Sequence, residues 1–183
     1  KLNMNPIDVV ISWVDGHDQK YQQKLNDFCA KQGIDKKVAI EPTRIYQSNE
    51  IYFCLQSLRL FAPWVRTIYI ITNQQTPKAV SDLKNSTFGR KIKIIDQNDL
   101  LSSLDIKSPV FNSISVEWLI WKIKGLSNNF LYLNDDFFII RDVEPEDFFQ
   151  DNKLVLRGEW KTQSQQKFSY KLKKFIAVIS GKK

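Results

Sequence analysis

The sequence predicts an α/β fold: a mainly parallel sheet with helices on both faces. Three observations point there. Short apolar runs (IDVVIS at 7–12, TIYIIT at 67–72, KIKII at 91–95 and FLYL at 130–133) alternate with stretches whose apolar residues recur at helical spacing. No internal repeat or low-complexity linker separates them. Polar segments follow three of the strands directly: Trp13-Val14-Asp15-Gly16, Asn73-Gln74-Gln75 and Asn134-Asp135-Asp136. In open sheets of this type ligands sit beyond the carboxyl ends of the strands, so these segments are the first candidates for a site.

Each element has its own signal. Pro6 precedes the first strand, residues 7–12. The polar residues 15–20 lead into a helix that runs to about Ala30 and stops near Gly33. A second helix, residues 48–61, is marked by Ile51, Cys54, Leu55, Leu58 and Phe61, with Pro63 just beyond its end. The strands at 67–72 and 91–95 are separated by a helical or irregular stretch. A helix over 113–124 carries Ile114, Glu117, Trp118 and Trp121, with Gly125 as its stop. The strand at 130–133 runs into Asn134-Asp135-Asp136, and a further apolar run, 137–140, follows.

The chain has 183 residues, a one-domain length, and its 43% hydrophobic content argues against wholesale disorder. Its apolar runs fall far short of the roughly 20 residues a membrane-spanning helix needs. The opening KLNMNPIDVV lacks an apolar signal core, so a cytoplasmic location is expected. Cys29 and Cys54 have no metal-site spacing and read as buried thiols of a reducing compartment. His17, the sole histidine, argues against His-based metal clusters and a Ser-His-Asp triad; it reads as an exposed turn residue.

The net charge of +7 is unevenly placed: residues 1–152 carry −1 and residues 153–183 carry +8. The chain therefore divides into an α/β body, 1–152, and a basic C-terminal segment, 153–183. In that segment Phe168, Leu172, Phe175, Ile176 and Ile179 share one helical face among lysines. Such a face suits peripheral contact with an anionic membrane, here the inner face, or packing against the α/β body or against parts of a longer protein. The body shows no basic, aromatic-interleaved surface, so nucleic acid is not expected as a partner.

Four groups of residues suit chemistry, and each also suits a plain structural role. Asp135 and Asp136 end an apolar strand, where two carboxylates are costly unless a cation compensates them. A divalent metal carrying phosphates would do so; a polar turn between strands would also explain them. Trp13 could stack on a base and Asp15 could bind a ribose hydroxyl or a metal, or they are a core Trp and a turn Asp. Arg44 suits phosphate binding, while Glu50 near it also suits the first turn of a helix. Asn112 and Ser113 open a helix, as an anion site or as caps.

The order and wording of these segments resemble the Stealth family of sugar-phosphate transferases, which includes bacterial capsular polysaccharide phosphotransferases. IDVVISWVDG (7–16) is similar to its first conserved region. Arg44, residues 49–73, FNSISVEWLIWKIKGLSNNFLYLNDDFF (111–138) and DVEPEDFF (142–149) resemble its second. The resemblance implies a Rossmann-like domain of the GT-A-like nucleotide-sugar transferase type. It implies transfer of a sugar 1-phosphate from a UDP-sugar to a saccharide acceptor hydroxyl, with release of UMP and with Mg²⁺ or Mn²⁺ as cofactor. Trp13, Asp15, Arg44 and Glu50 would serve the nucleotide and phosphate end, with Arg44 also catalytic; Asn73 would be substrate-binding, and Asn112 and Ser113 would sit at the substrate pocket. Asn134, Asp135 and Asp136 would form the metal or catalytic acidic cluster, with both aspartates on the metal. Two alternatives stand beside this one: a metal-dependent glycosyltransferase releasing UDP, and a non-catalytic nucleotide-sugar-binding or scaffold module.

Overall fold

A computed structural model describes residues 5–35, 47–104 and 110–159. Arg44 and the apolar face of the basic segment, Phe168 to Ile179, lie outside the described residues. Four parallel strands form the central sheet: β1 (Ile7–Ser12), β2 (Ile68–Thr72), β3 (Ile92–Asp96) and β4 (Asn129–Asn134). Their order is β3-β2-β1-β4. β1 is central and pairs on one side as Val9↔Ile68 and on the other as Ile7↔Asn129. The expected parallel α/β architecture is thus present, and the strand order reverses direction between β1 and β4.

Alternation along the strands feeds two cores. Val9, Ile11, Ile68 and Ile70 face one side and pack with Ile51, Cys54, Leu55 and Leu58 of helix α2 (Glu50–Phe61), and with Ala79 and Leu83 of α3 (Lys78–Leu83). Val10, Tyr69 and Ile71 face the other side. They pack with Leu100 and Leu101 of α4 (Gln97–Leu101) and with Val116 of α5 (Ser113–Glu117). α1 (Gln19–Gln32) lies apart from both cores, its Tyr21, Leu25 and Cys29 packed with Phe28 and Phe111. The side chain of Asp18 caps α1 at the Tyr21 N–H, and Gly33 ends it with φ 66°, a left-handed conformation that favours glycine.

One expectation is corrected. The helix over 113–124 is α-helical only to Glu117 and continues as a 3₁₀ turn at Ile120–Lys122. The Leu119 amide bonds Val116 O at 2.9 Å and the Ile123 amide bonds Ile120 O at 3.0 Å, both three residues back. Ile114, Val116, Ile120 and Ile123 are β-branched and so poor helix formers, as are the two tryptophans among them. The residues expected to mark this helix, Ile114, Trp118 and Trp121, are its exposed side, while Val116, Leu119, Ile120 and Ile123 are buried.

After β4 the chain turns at Asp135 and Asp136, with the Phe137 amide bonded to Asn134 O at 3.1 Å. The apolar run 137–140 is not a strand. It crosses α2, where the Ile139 amide donates to Ser57 Oγ at 3.1 Å and Phe138 meets Phe53 edge-on. A two-stranded hairpin, β5 (Phe149–Gln150) with β6 (Lys153–Leu154), spans the junction with the basic segment. None of the described helices is long and apolar enough to cross a membrane.

Candidate functional site

Because all four strands run the same way, the segments after β1, β2 and β4 emerge at one edge of the sheet. Ser12 sits beside Ile71 on one flank and Asn134 on the other, so Trp13, Asn73 and Asp135 begin within a few residues of each other. Trp13 is half-buried and held by its backbone amide on Ile71 O at 3.0 Å. Its indole Nε1 donates to Gln47 Oε1 at 3.1 Å, and Gln47 Nε2 donates to Asp135 Oδ2 at 3.2 Å. Gln47 therefore joins the end of β1 to the end of β4.

On the β2 side, the Asp15 amide donates to Gln75 Oε1 at 3.0 Å, and Gln75 Nε2 donates back to Asp15 O at 2.9 Å. The Asp15 carboxylate accepts from the His17 amide at 2.8 Å, and His17 is an exposed turn residue, as expected. Lys24 of α1 reaches across to Asn73 Oδ1 at 3.3 Å and Gln74 Oε1 at 2.5 Å. Asn73 is only 6% exposed, and its Nδ2 has no hydrogen-bond partner among the described residues. Asp15, Lys24, Asn73, Gln74 and Gln75, with Trp13 and Tyr21, line a polar cleft of about 400 Å³ between α1 and the β2 end.

The acidic end has a different character. Asp135 is half-buried and Asp136 exposed. Burial pushes the Asp135 carboxyl above its ordinary value; the Gln47 amide and a backbone N–H pull it back, and the Asp136 and Glu50 charges push it up again. No described Lys or Arg pairs with either aspartate. Among the described residues no group of three or more His, Cys, Asp or Glu is arranged to hold a metal ion. Two carboxylates, one of them desolvated and without a compensating cation among the described residues, have the oxygen-donor chemistry that a hard divalent cation takes. Beneath them lies Cys54, whose thiol is pushed up to about 12, chiefly by burial and then by Asp135 and Asp136. Both cysteines are free and buried, as expected.

The remaining expected residues stand apart from this arrangement or are occupied. The Glu50 carboxylate accepts from the Ser48 amide at 2.7 Å, a helix-start role, while its charge still reaches Asp135. Asn112 caps α5 by accepting from the Ile114 amide at 2.9 Å, and Ser113 is exposed. Asn134 is the exposed last residue of β4. Sequence reasoning missed Gln47 and Lys24. A lone Gln before a helix and one Lys within a helix carry no sequence signal; their place follows only from the folded juxtaposition.

The model of conserved region 2 of Stealth proteins matches residues 44–156, more than half of the chain. The chain is 38% identical over 155 residues to a capsular polysaccharide phosphotransferase of Actinobacillus pleuropneumoniae, covering 84% of this chain and 41% of that protein. It is 37% identical over 154 residues to one from Neisseria meningitidis serogroup B, covering 82% of this chain and 39% of that protein. An exopolysaccharide phosphotransferase of Streptomyces coelicolor is 37% identical over 148 residues, which are 80% of this chain and 15% of that protein. The chain thus spans about two fifths of the length of the first two relatives. With region 2 matched from Arg44 through the hairpin after β4, the chain belongs to the Stealth family.

Proposed function

We propose that this chain is the nucleotide-sugar-binding part of a phosphotransferase in capsular or cell-surface polysaccharide synthesis. It takes a UDP-sugar and transfers the sugar 1-phosphate whole to a saccharide acceptor. The acceptor oxygen bonds to the phosphorus that carries the sugar, and its proton is lost. The bond from that phosphorus to the bridging oxygen breaks, and UMP leaves with the electron pair. Reactions of this class depend mainly on positioning and charge neutralisation. Asp135 and Asp136 would hold Mg²⁺ or Mn²⁺, which neutralises the diphosphate. Trp13, Asp15 and Asn73 would hold the nucleoside end, with Arg44 and Glu50 toward the phosphates.

The observation that carries this reading is the convergence of Trp13, Gln47 and Asp135 at the carboxyl edge of β1 and β4, where the strand order reverses. The names of the relatives support the reaction class. Thermal unfolding tests donor binding: UDP and Mn²⁺ together should raise the melting temperature more than either alone, and Asp135→Ala should remove the joint effect. Product analysis tests the chemistry. UMP is expected from the UDP-sugar, whereas UDP as the sole nucleotide product would make the protein a glycosyltransferase. No metal-dependent nucleotide binding by the folded chain would overturn the reading.

A further inference from the structure

Gln47 bonds two groups of opposite hydrogen-bonding character. An indole N–H only donates, and a carboxylate only accepts. The amide orientation is thereby fixed, with Oε1 on Trp13 and Nε2 on Asp135; flipping it would set donor against donor and acceptor against acceptor. The two partners leave adjacent strands held in register by Ser12↔Asn134. Gln47 itself stands just before α2, 34 residues from Trp13 and 88 from Asp135. It spans the ends of β1 and β4 from a third segment.

We propose that Gln47 is a positioning residue that orients Asp135 toward its cation and transmits cation binding to the Trp13 ring. This rests on the reading that Asp135 takes a divalent cation. A carboxylate oxygen that accepts one hydrogen bond keeps a lone-pair site for a metal, and outer-shell partners of metal-binding carboxylates typically carry about 10–100-fold in affinity. The same amide locks the indole, so any turn of the Asp135 carboxylate onto a cation is felt at Trp13 Nε1. The acidic end and the aromatic end are then mechanically one unit before any nucleotide arrives.

The test is a Mg²⁺ titration of the chain carrying ¹⁵N-labelled tryptophan and uniformly labelled backbone, followed by NMR. The Trp13 indole resonance is identified by its loss in Trp13→Phe. In the wild type Mg²⁺ should shift this resonance together with the Asp135 and Asp136 amides. In Gln47→Met, which is nearly isosteric, the indole should stop responding and Mg²⁺ affinity should fall about tenfold. In Gln47→Asn, which keeps the amide but shortens its reach, the indole response should also be lost. Movement of the aspartate amides without the Trp13 indole overturns this inference alone. An unchanged response in both variants does the same. If saturating Mg²⁺ moves no resonance at this edge, the cation reading fails and the inference fails with it.

Discussion

Arg66 closes on Asp8 across the amino end of the sheet, with Arg66 Nε donating to Asp8 Oδ1 at 2.8 Å and a second guanidinium nitrogen on Oδ2. Asp8 lies on β1 at 0% exposure, and the Ser127 amide adds a bond to Oδ2 at 2.8 Å. The Arg66 side chain is 41% exposed, so solvent screens part of this pair. Arg66→Ala nevertheless leaves a buried carboxylate with one fewer cation and two fewer donors. Urea unfolding should show a loss of about 2–3 kcal/mol, above the ~0–1 kcal/mol of an exposed pair. A loss under about 0.5 kcal/mol would mean that water replaces the guanidinium freely.

The Asp135 carboxyl is raised by burial first, so its charged form is disfavoured in the folded state. Its contribution to stability is full below the ordinary aspartate value and is lost as pH rises through the raised one. Asp135→Asn should therefore raise the melting temperature at pH 7 and lose that advantage below about pH 4. The same variant should no longer gain stability from Mn²⁺. Melting curves between pH 3.5 and 8 decide it; a variant less stable than wild type at pH 7 would contradict the burial argument.

Asn73 keeps a buried N–H without a partner among the described residues, and such a group typically costs about 1–3 kcal/mol. Asn73→Ala removes that atom together with its contact to Lys24. Its melting temperature without ligand should stay close to wild type, while UDP affinity measured by calorimetry should fall about tenfold. Unchanged affinity would take Asn73 out of the nucleotide site.

Cys54 is fully buried and its thiol is pushed up to about 12, so almost no thiolate exists at pH 8. Ellman's reagent should leave it unmodified in the native protein and react only after unfolding. Rapid modification of Cys54 in the folded chain would show that α2 opens under native conditions.

β1 and β2 were legible because each is a compact β-branched run buried on both faces, as central parallel strands are, and β4 because it is a short apolar, aromatic-rich run. α2 was legible because Ile51, Cys54, Leu55 and Leu58 keep helical spacing toward the sheet. The segment from Ser113 to Lys122 was misread in its regularity, since apolar spacing alone does not reveal that β-branched residues will tighten a helix into 3₁₀ turns. At the site, topology made Trp13, Asn73 and Asp135 readable as a group, because parallel strands deliver their ends to one edge. Gln47 and Lys24 were not readable. Lys24 meets Asn73 from 49 residues away through the reach of a flexible side chain, which no local pattern encodes.

The central position of β1 has a consequence for how the protein is made. β1 is synthesised before β2, β3 and β4, and its partners begin at Ile68 and Asn129. At about 5–20 residues per second, its second flank stays unpaired for on the order of ten seconds on the ribosome. Pairings so far apart along the chain are non-local, the kind that slows folding. The Trp13 and Asp135 ends come together only at that last pairing, so a partly folded chain holds the cleft beside α1 before it holds the acidic end.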